Sequence, residues 1–186
     1  GLDFENVQLV GILDADGLLS FSDFRVNERA FQLMEQVSGR AGRKWQQGSV
    51  KIQALNVKHP VLQWVQAHDY ALMYQQELAN RKEFFYPPYS RLITLTLKHA
   101  DKATVDAGAT KLVQLLNQDL KEWVVGPATP VIGRLRNRYL AEIMIKLPKE
   151  AGKGPVYKKV IQHHIQLLLA EKAYKQIVVV ADVDPQ

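Results

Sequence analysis

Two folding patterns follow one another in this sequence: an α/β segment, then an α+β domain of ferredoxin-like order βαββαβ. Three observations predict this. A Val/Leu/Ile run at 7–13, a helical stripe and a short alternating segment give strand, helix and strand, the βαβ unit of an α/β domain. Pro87-Pro88, inside the aromatic cluster Phe84 to Tyr89, breaks the periodicity and places a boundary at about residue 86. Beyond it, alternating segments and helical stripes succeed one another in the split βαβ order.

Val7 to Leu13 has the composition of a strand buried on both faces, and Asp14-Ala15-Asp16-Gly17 forms its polar carboxyl end, where open α/β sheets place ligand crevices. Val26, Ala30, Leu33, Met34 and Val37 share one helical stripe, which Gly39 stops. Val50, Ile52 and Ala54 alternate as a second strand. Pro60 to about Glu83 reads as helix, with Val61, Leu62, Val65, Leu72, Met73 and Leu78 packing. After the prolines, Ile93, Leu95 and Leu97 point inward from a strand at 90–99, and Val105, Ala109, Leu112, Val113 and Leu116 stripe a helix at 101–120. A strand opens at Trp123, is interrupted by Gly126-Pro127 and Pro130, and resumes to about Arg136. Asn137 is a turn residue, and Tyr139, Ala141, Ile143, Ile145 and Leu147 alternate on the returning strand. A Gly-rich break at 152–154, a helix to about Glu171 and a strand at 177–183 complete the order.

The net charge is +5, and it is unevenly placed. Residues 1–85 carry 9 Lys/Arg against 10 Asp/Glu, whereas 86–186 carry 15 against 9, so the basic excess lies in the second half. The absence of cysteine excludes a disulfide framework and any Cys-based metal site, and it fits a reducing compartment. No apolar stretch approaches the ~20 residues that span a bilayer, which predicts a soluble chain. Opening on Gly-Leu-Asp-Phe and running at once into a strand pattern, the sequence reads as a piece of a larger protein.

The strongest chemical signal is Gln36-Val37-Ser38-Gly39-Arg40-Ala41-Gly42-Arg43. A helix ends at a glycine and delivers two arginines, three residues apart, into a Gly-flexible loop. Guanidinium forks match phosphate oxygens, and one supplied across an interface stabilises a transferring γ-phosphoryl group. The blander reading is a capped helix with solvated arginines.

QVSGRAGR resembles the sixth motif of superfamily-two helicases, and Gly1-Leu2-Asp3-Phe4 with NVQLVGILDADG resembles the end of their fifth. Together with the spacer residues Asp23-Phe24-Arg25 and Glu28-Arg29, Tyr-Pro-Pro-Tyr-Ser at 86–90, GRLRNRY at 133–139 and Asp182-Val183-Asp184-Pro185, the chain resembles the C-terminal portion of the replication-restart (primosomal protein N′) helicase family. The resemblance implies that residues 1–57 close a second RecA-like lobe, 58–85 form a helical connector and 86–186 a ferredoxin-like C-terminal domain. It implies an ATP-dependent 3′ to 5′ DNA helicase in the parent, cytoplasmic and acting in primosome assembly. Arg43 would be its arginine finger, Arg40 a second phosphate contact, Gln36 a γ-phosphate or water contact, and Gly1 and Asp3 nucleotide-facing residues. ATP and Mg²⁺ would be completed by upstream residues, and zinc would belong to the parent only. Without a GxxxxGK[ST] loop, this portion is expected to be inactive alone.

Asp14 and Asp16 invite magnesium, but a structural or interlobe role suits them better. Arg134, Arg136 and Arg138 project from one strand face or cluster at a hairpin tip if Asn137 turns the chain; either places charge for forked or single-stranded DNA. Lys153, Lys158 and Lys159 gather where a helix begins, against its dipole, which suggests an acidic partner. The resemblance supplies one, the acidic tail of single-stranded DNA-binding protein, beside other primosome proteins. His163-His164 is read as surface or core, the 84–89 aromatics as pinning the connector, and Trp45, Trp64 and Trp123 as packing. Two alternatives stay open: another superfamily-two translocase, and a non-enzymatic nucleic-acid or protein-binding module.

Overall fold

The computed structural model describes residues 7–41 and 48–185. It divides into two units, Gly1–Arg81 and Lys82–Gln186.

In the first unit, strands β1 (Leu9–Ile12) and β2 (Ser49–Ile52) pair in parallel with Leu9 opposite Ser49 and Ile12 opposite Ile52. Parallel neighbours need a crossover. Helices α1 (Ala15–Leu19) and α2 (Val26–Ser38) lie in it. The first strand is shorter than its apolar run: Leu13 is 76% exposed and only Ile12 is buried. Among the described residues the sheet has two strands, so burial on both faces is not achieved. The polar segment after β1 forms α1, which the sequence hid because a five-residue helix shows little periodicity. Asp14, left-handed at φ 54°, caps it by accepting from the Gly17 amide at 3.1 Å. Gly39 is not a left-handed stop: its φ of −64° and ψ of −3° are right-handed, and the turn runs on as the Arg40 amide donates to the Val37 carbonyl.

The apolar run from 60 to 83 is two helices, α3 (Pro60–Ala67) and α4 (Tyr70–Glu83). His68 breaks it in the left-handed region, at φ 52°, and Asp69 restarts it by accepting from the Leu72 amide at 2.8 Å. No glycine or proline marks the break. Val61, Leu62, Trp64, Val65 and Met73 join Ala30, Phe31 and Met34 in one core. Leu72 is exposed; the face of α4 that buries runs instead through Met73 and Glu77.

The second unit realises the alternation closely. Strand β3 (Ser90–His99) lies between β6 (Arg138–Pro148) and β7 (Val178–Val183), both antiparallel to it, and β4 (Val124–Ala128) pairs with the far side of β6. A two-residue strand β5 (Arg134–Leu135) continues that edge. Helices α5 (Lys102–Leu116) and α6 (Gly154–Ala170) make the order βαββαβ, with β5 as an extension of β4. Ile93, Leu95, Leu97, Ala141, Ile143, Ile145 and Leu147 bury against Val105, Ala109, Leu112 and Leu116 of α5 and Ile161 and Leu168 of α6. Strand residues two apart share a face, so one sheet face carries the whole core. Asp101 caps α5, accepting from the Thr104 amide at 2.7 Å. Gly108 lets the Ile177 side chain pack close to α5: a Cβ would stand 2.4 Å from Ile177 Cδ1, and that side chain would have to shift.

Of the connector aromatics, Phe85, Tyr86 and Tyr89 are half-buried, while the Phe84 side chain is 59% exposed. Lys146 lies on β6, places its Nζ 3.6 Å from the Tyr86 ring centroid and donates to the Phe84 carbonyl at 2.8 Å. Burial holds this ammonium below the ordinary lysine value. Ser90 Oγ donates to the Phe85 carbonyl at 2.8 Å. Trp64 is buried, and Trp123 meets Tyr157 edge to face at 5.5 Å; Trp45 lies outside the described residues. No described helix is long and apolar enough to cross a membrane.

Candidate functional sites

The first site is the end of α2. Of the residues proposed for nucleotide, Gln36 and Arg40 are described, while Gly1, Asp3 and Arg43 lie outside the described residues. Gln36 is exposed in the last turn of α2, and Arg40 follows one turn on, half-buried. Arg40 lies past the last helical residue, in a turn that its amide closes on the Val37 carbonyl at 3.1 Å.

What holds α2 is a polar clamp that apolar periodicity does not reveal. Near its start, Asn27 Nδ2 donates to the buried Glu77 at 3.0 Å, and Glu28 forms an ion pair with Arg81. Both partners sit on α4, spaced i, i+4. The Arg81 and Arg25 guanidiniums lie against the Phe24 ring at 5.0 and 4.9 Å. Asp23 accepts from the Arg25 amide and its Nε and Nη2, and from Arg29 Nη1. Burial raises the Asp23 pKa, but those hydrogen bonds and the arginine charges outweigh it and hold the carboxyl below its ordinary value. Near the other end, Glu35 meets His68 Nδ1 at 3.0 Å. The motif residues therefore extend from a helix tied at both ends to the α3–α4 pair. Asp23, Arg25, Glu28 and Arg29 were the visible half of this clamp; Glu77 and Arg81, about 50 residues away, were the hidden half.

Arg81→Ala is expected to destabilise the first unit by about 1–3 kcal/mol, since it leaves Glu28 without its partner in a half-buried setting. A double-mutant cycle with Glu28→Ala, read by urea unfolding, checks this; zero coupling energy would remove the clamp.

The two aspartates proposed as structural hold backbone. Asp16 accepts from the Leu55 amide at 2.6 Å and the Asn56 amide at 3.3 Å, fastening the segment after β2. The Leu55 bond is the main cause of its lowered pKa. With Asp14 capping α1, both carboxylates are committed to amides, and among the described residues no three potential ligands converge on a metal site.

The second site is the β5–β6 hairpin. Leu135 faces Arg138 across a two-residue turn, with Arg136 at φ 49° and Asn137 at φ 59°. Two positive φ values define the hairpin turn whose twist matches the strands. The arginines therefore gather at a tip, not on one strand face. Arg134 pairs with Tyr139, lies 5.0 Å from its ring and approaches Asn137 Oδ1 at 3.5 Å. Directly paired residues share a face, so Arg138 projects opposite to Arg134, with Arg136 between them at the apex. All three are exposed.

At the start of α6, Lys153 forms an ion pair with Glu150, whose second partner is Tyr157 Oη at 3.2 Å. The Glu150 hydrogen bond raises the lysine pKa, and the Lys153 bond lowers the glutamate's. Lys153 thus has a partner within the chain, while Lys158 and Lys159 are exposed in the next turn. Of the histidine pair, His163 is exposed and His164 is 2% exposed, with Nε2 2.7 Å from Asp119 Oδ2 and Nδ1 buried without a partner. That arrangement fits the tautomer with Nε2 protonated.

Comparison with known proteins gives the family of the second unit. The family model described as the primosomal protein N C-terminal domain matches residues 82–186. A replication restart protein PriA from Bacillus subtilis strain 168 is 38% identical over 187 residues, covering 100% of this chain and 23% of the relative. Proteins of the same name from Synechocystis and Treponema pallidum are 41% and 36% identical, covering 80% and 100% of this chain and 18% and 27% of their own lengths. The chain thus spans about a quarter of these relatives. The family match begins at the residue where the second unit begins, and the chain belongs to the primosomal protein N C-terminal domain family.

Proposed function

We propose that this chain is the C-terminal portion of a replication-restart protein, an ATP-dependent 3′ to 5′ DNA helicase that reloads the replisome at stalled forks. Support for the restart role comes from the family and from the name its relatives carry. The parallel β1–β2 pair, with α2 in its crossover, supports reading residues 1–57 as the end of a RecA-like lobe; 58–85 would be the connector and 86–186 the C-terminal domain. Gln36 and Arg40 present donors suited to phosphate, and Arg43 would complete the ATP site across a lobe interface. Gly1 and Asp3 would face the nucleotide. Magnesium would be held by residues elsewhere in the parent protein, while Asp14 and Asp16 accept from backbone amides. Lys158 and Lys159, with Lys153, would meet the acidic tail of single-stranded DNA-binding protein and other primosome partners.

The observation that carries the DNA-contacting half is the arginine hairpin. Arg136 occupies a left-handed position where Gly or Asn is intrinsically favoured by roughly 1–2 kcal/mol. Three guanidiniums around one apex suit a phosphodiester backbone. In a salt titration of single-stranded DNA binding by this chain, Arg134→Ala/Arg136→Ala/Arg138→Ala is expected to flatten log K against log salt by about 2. An unaltered slope would remove the assignment.

A further inference from the structure

The edge beside β6 holds a second feature. Along it, Val125 pairs with Met144, Ala128 with Glu142, and Arg134 with Tyr139, while the Leu140 amide donates to the Gly133 carbonyl at 2.9 Å. Four residues, Thr129–Ile132, therefore stand opposite Ala141 alone and are extruded from the sheet edge as a bulged loop. The loop closes tightly: a Cβ on Gly133 would meet Thr129 Cγ2 at 2.9 Å. At its crest Val131 is 89% and Ile132 is 64% exposed, and nearer the turn Leu135 is 51% exposed. Val131 and Ile132 are β-branched and stiff at χ1, so they present a fixed apolar edge.

Position and charge indicate the occupant. From Ala141 to the apex is four residues, about 13 Å at ~3.3 Å per residue. One DNA strand covers that distance in about four nucleotides at ~3.4 Å each. Arginines on the phosphates and the apolar crest on the bases therefore reach the same short stretch. Three exposed aliphatic residues, Val131, Ile132 and Leu135, share this edge with three exposed arginines, a pairing of apolar surface with positive charge that suits bases and phosphates together. Apolar wedges beside basic residues are the means by which proteins enter a weakened base step.

We propose that Val131 and Ile132 form an apolar wedge that packs against the exposed base faces at a junction between paired and unpaired DNA, with Arg134, Arg136 and Arg138 holding the flanking phosphates. This rests on the DNA-contacting function proposed above and adds to it the side chains that read the junction.

The test measures binding of the 186-residue chain to a fork carrying 2-aminopurine at the junction, and to a continuous duplex of equal length. The unsubstituted chain is expected to prefer the fork and to alter the 2-aminopurine emission. Val131→Ser/Ile132→Ser, at exposed positions and with unchanged thermal unfolding, is expected to weaken fork binding about tenfold, to leave duplex binding and the salt slope unchanged, and to lose the emission change. The arginine variant described above is expected to weaken both DNAs and flatten the slope. If the serine variant keeps the fork preference and emission while the arginine variant weakens binding, the wedge is overturned and the DNA-contacting function stands. If the arginine variant changes nothing, or the unsubstituted chain binds neither DNA, the DNA-contacting function fails and the wedge with it. A serine variant that weakens both DNAs equally also overturns the wedge, since no junction is then being read.

Discussion

In the full-length protein, replacing Arg43 by alanine is expected to lower DNA-stimulated ATP turnover by about 10³–10⁵-fold while nucleotide affinity changes little. An arginine finger acts on charge that develops as the γ-phosphoryl group transfers, so its loss falls on kcat and spares ground-state binding. Arg43→Lys is not expected to rescue, because an ammonium lacks the planar fork that spans two phosphate oxygens. Arg40→Ala, removing a second phosphate contact, is expected to raise KM as well. Steady-state turnover with and without DNA, alongside a nucleotide-binding titration, separates these effects. Full turnover in Arg43→Ala would refute the finger and leave the motif as a capped helix end with solvated arginines.

The largest stability effect is expected in the second unit. Leu112→Ala removes a side chain from the middle of α5 that is fully buried against the inner faces of β3 and β6. The transfer and cavity contributions together predict a loss of about 2–5 kcal/mol. Relaxation should be limited, because Gly108, one turn earlier, already brings the 174–177 segment hard against the helix. Leu167→Ala on α6, whose side chain is exposed, is expected to cost under about 1 kcal/mol and serves as the control. Urea unfolding followed by hydrogen exchange at β3 and β6 amides measures both. Equal, small effects would show that the helices do not close this core.

The strand–helix order of the second unit was legible because each element has one wet and one dry face. Residues 93, 95 and 97 and residues 141, 143, 145 and 147 are buried on one face, and their pairing, with Ile93 opposite Ile145, brings the dry sides together, although Leu92 and Leu140 are buried on the other. The first strand is different. Its apolar run implies two covered faces, and beside a single described neighbour strand Leu9 and Leu13 are exposed. The 60–83 region misled because two helices of similar composition meet at His68, whose left-handed conformation no residue type announced. Leu72 and Leu78 looked like packing positions, whereas α4 turns Met73, Glu77 and Arg81 toward α2.

The residues proposed for function divide along the same line. The Gln36 to Arg43 motif and the three hairpin arginines are local, written in residue type and spacing, and they were legible in the sequence together with the order of strands and helices. Tertiary structure alone decided that a glutamate and an arginine from α4 clamp the helix bearing the motif, that Arg134 and Arg138 project to opposite sides of a turn, and that Val131 and Ile132 stand out from the edge. Local periodicity records which face of an element avoids water; it carries no record of a polar partner 50 residues away or of four residues extruded opposite one. Those outcomes arise only when strands take register and buried polar groups find partners, steps governed by the assembled chain.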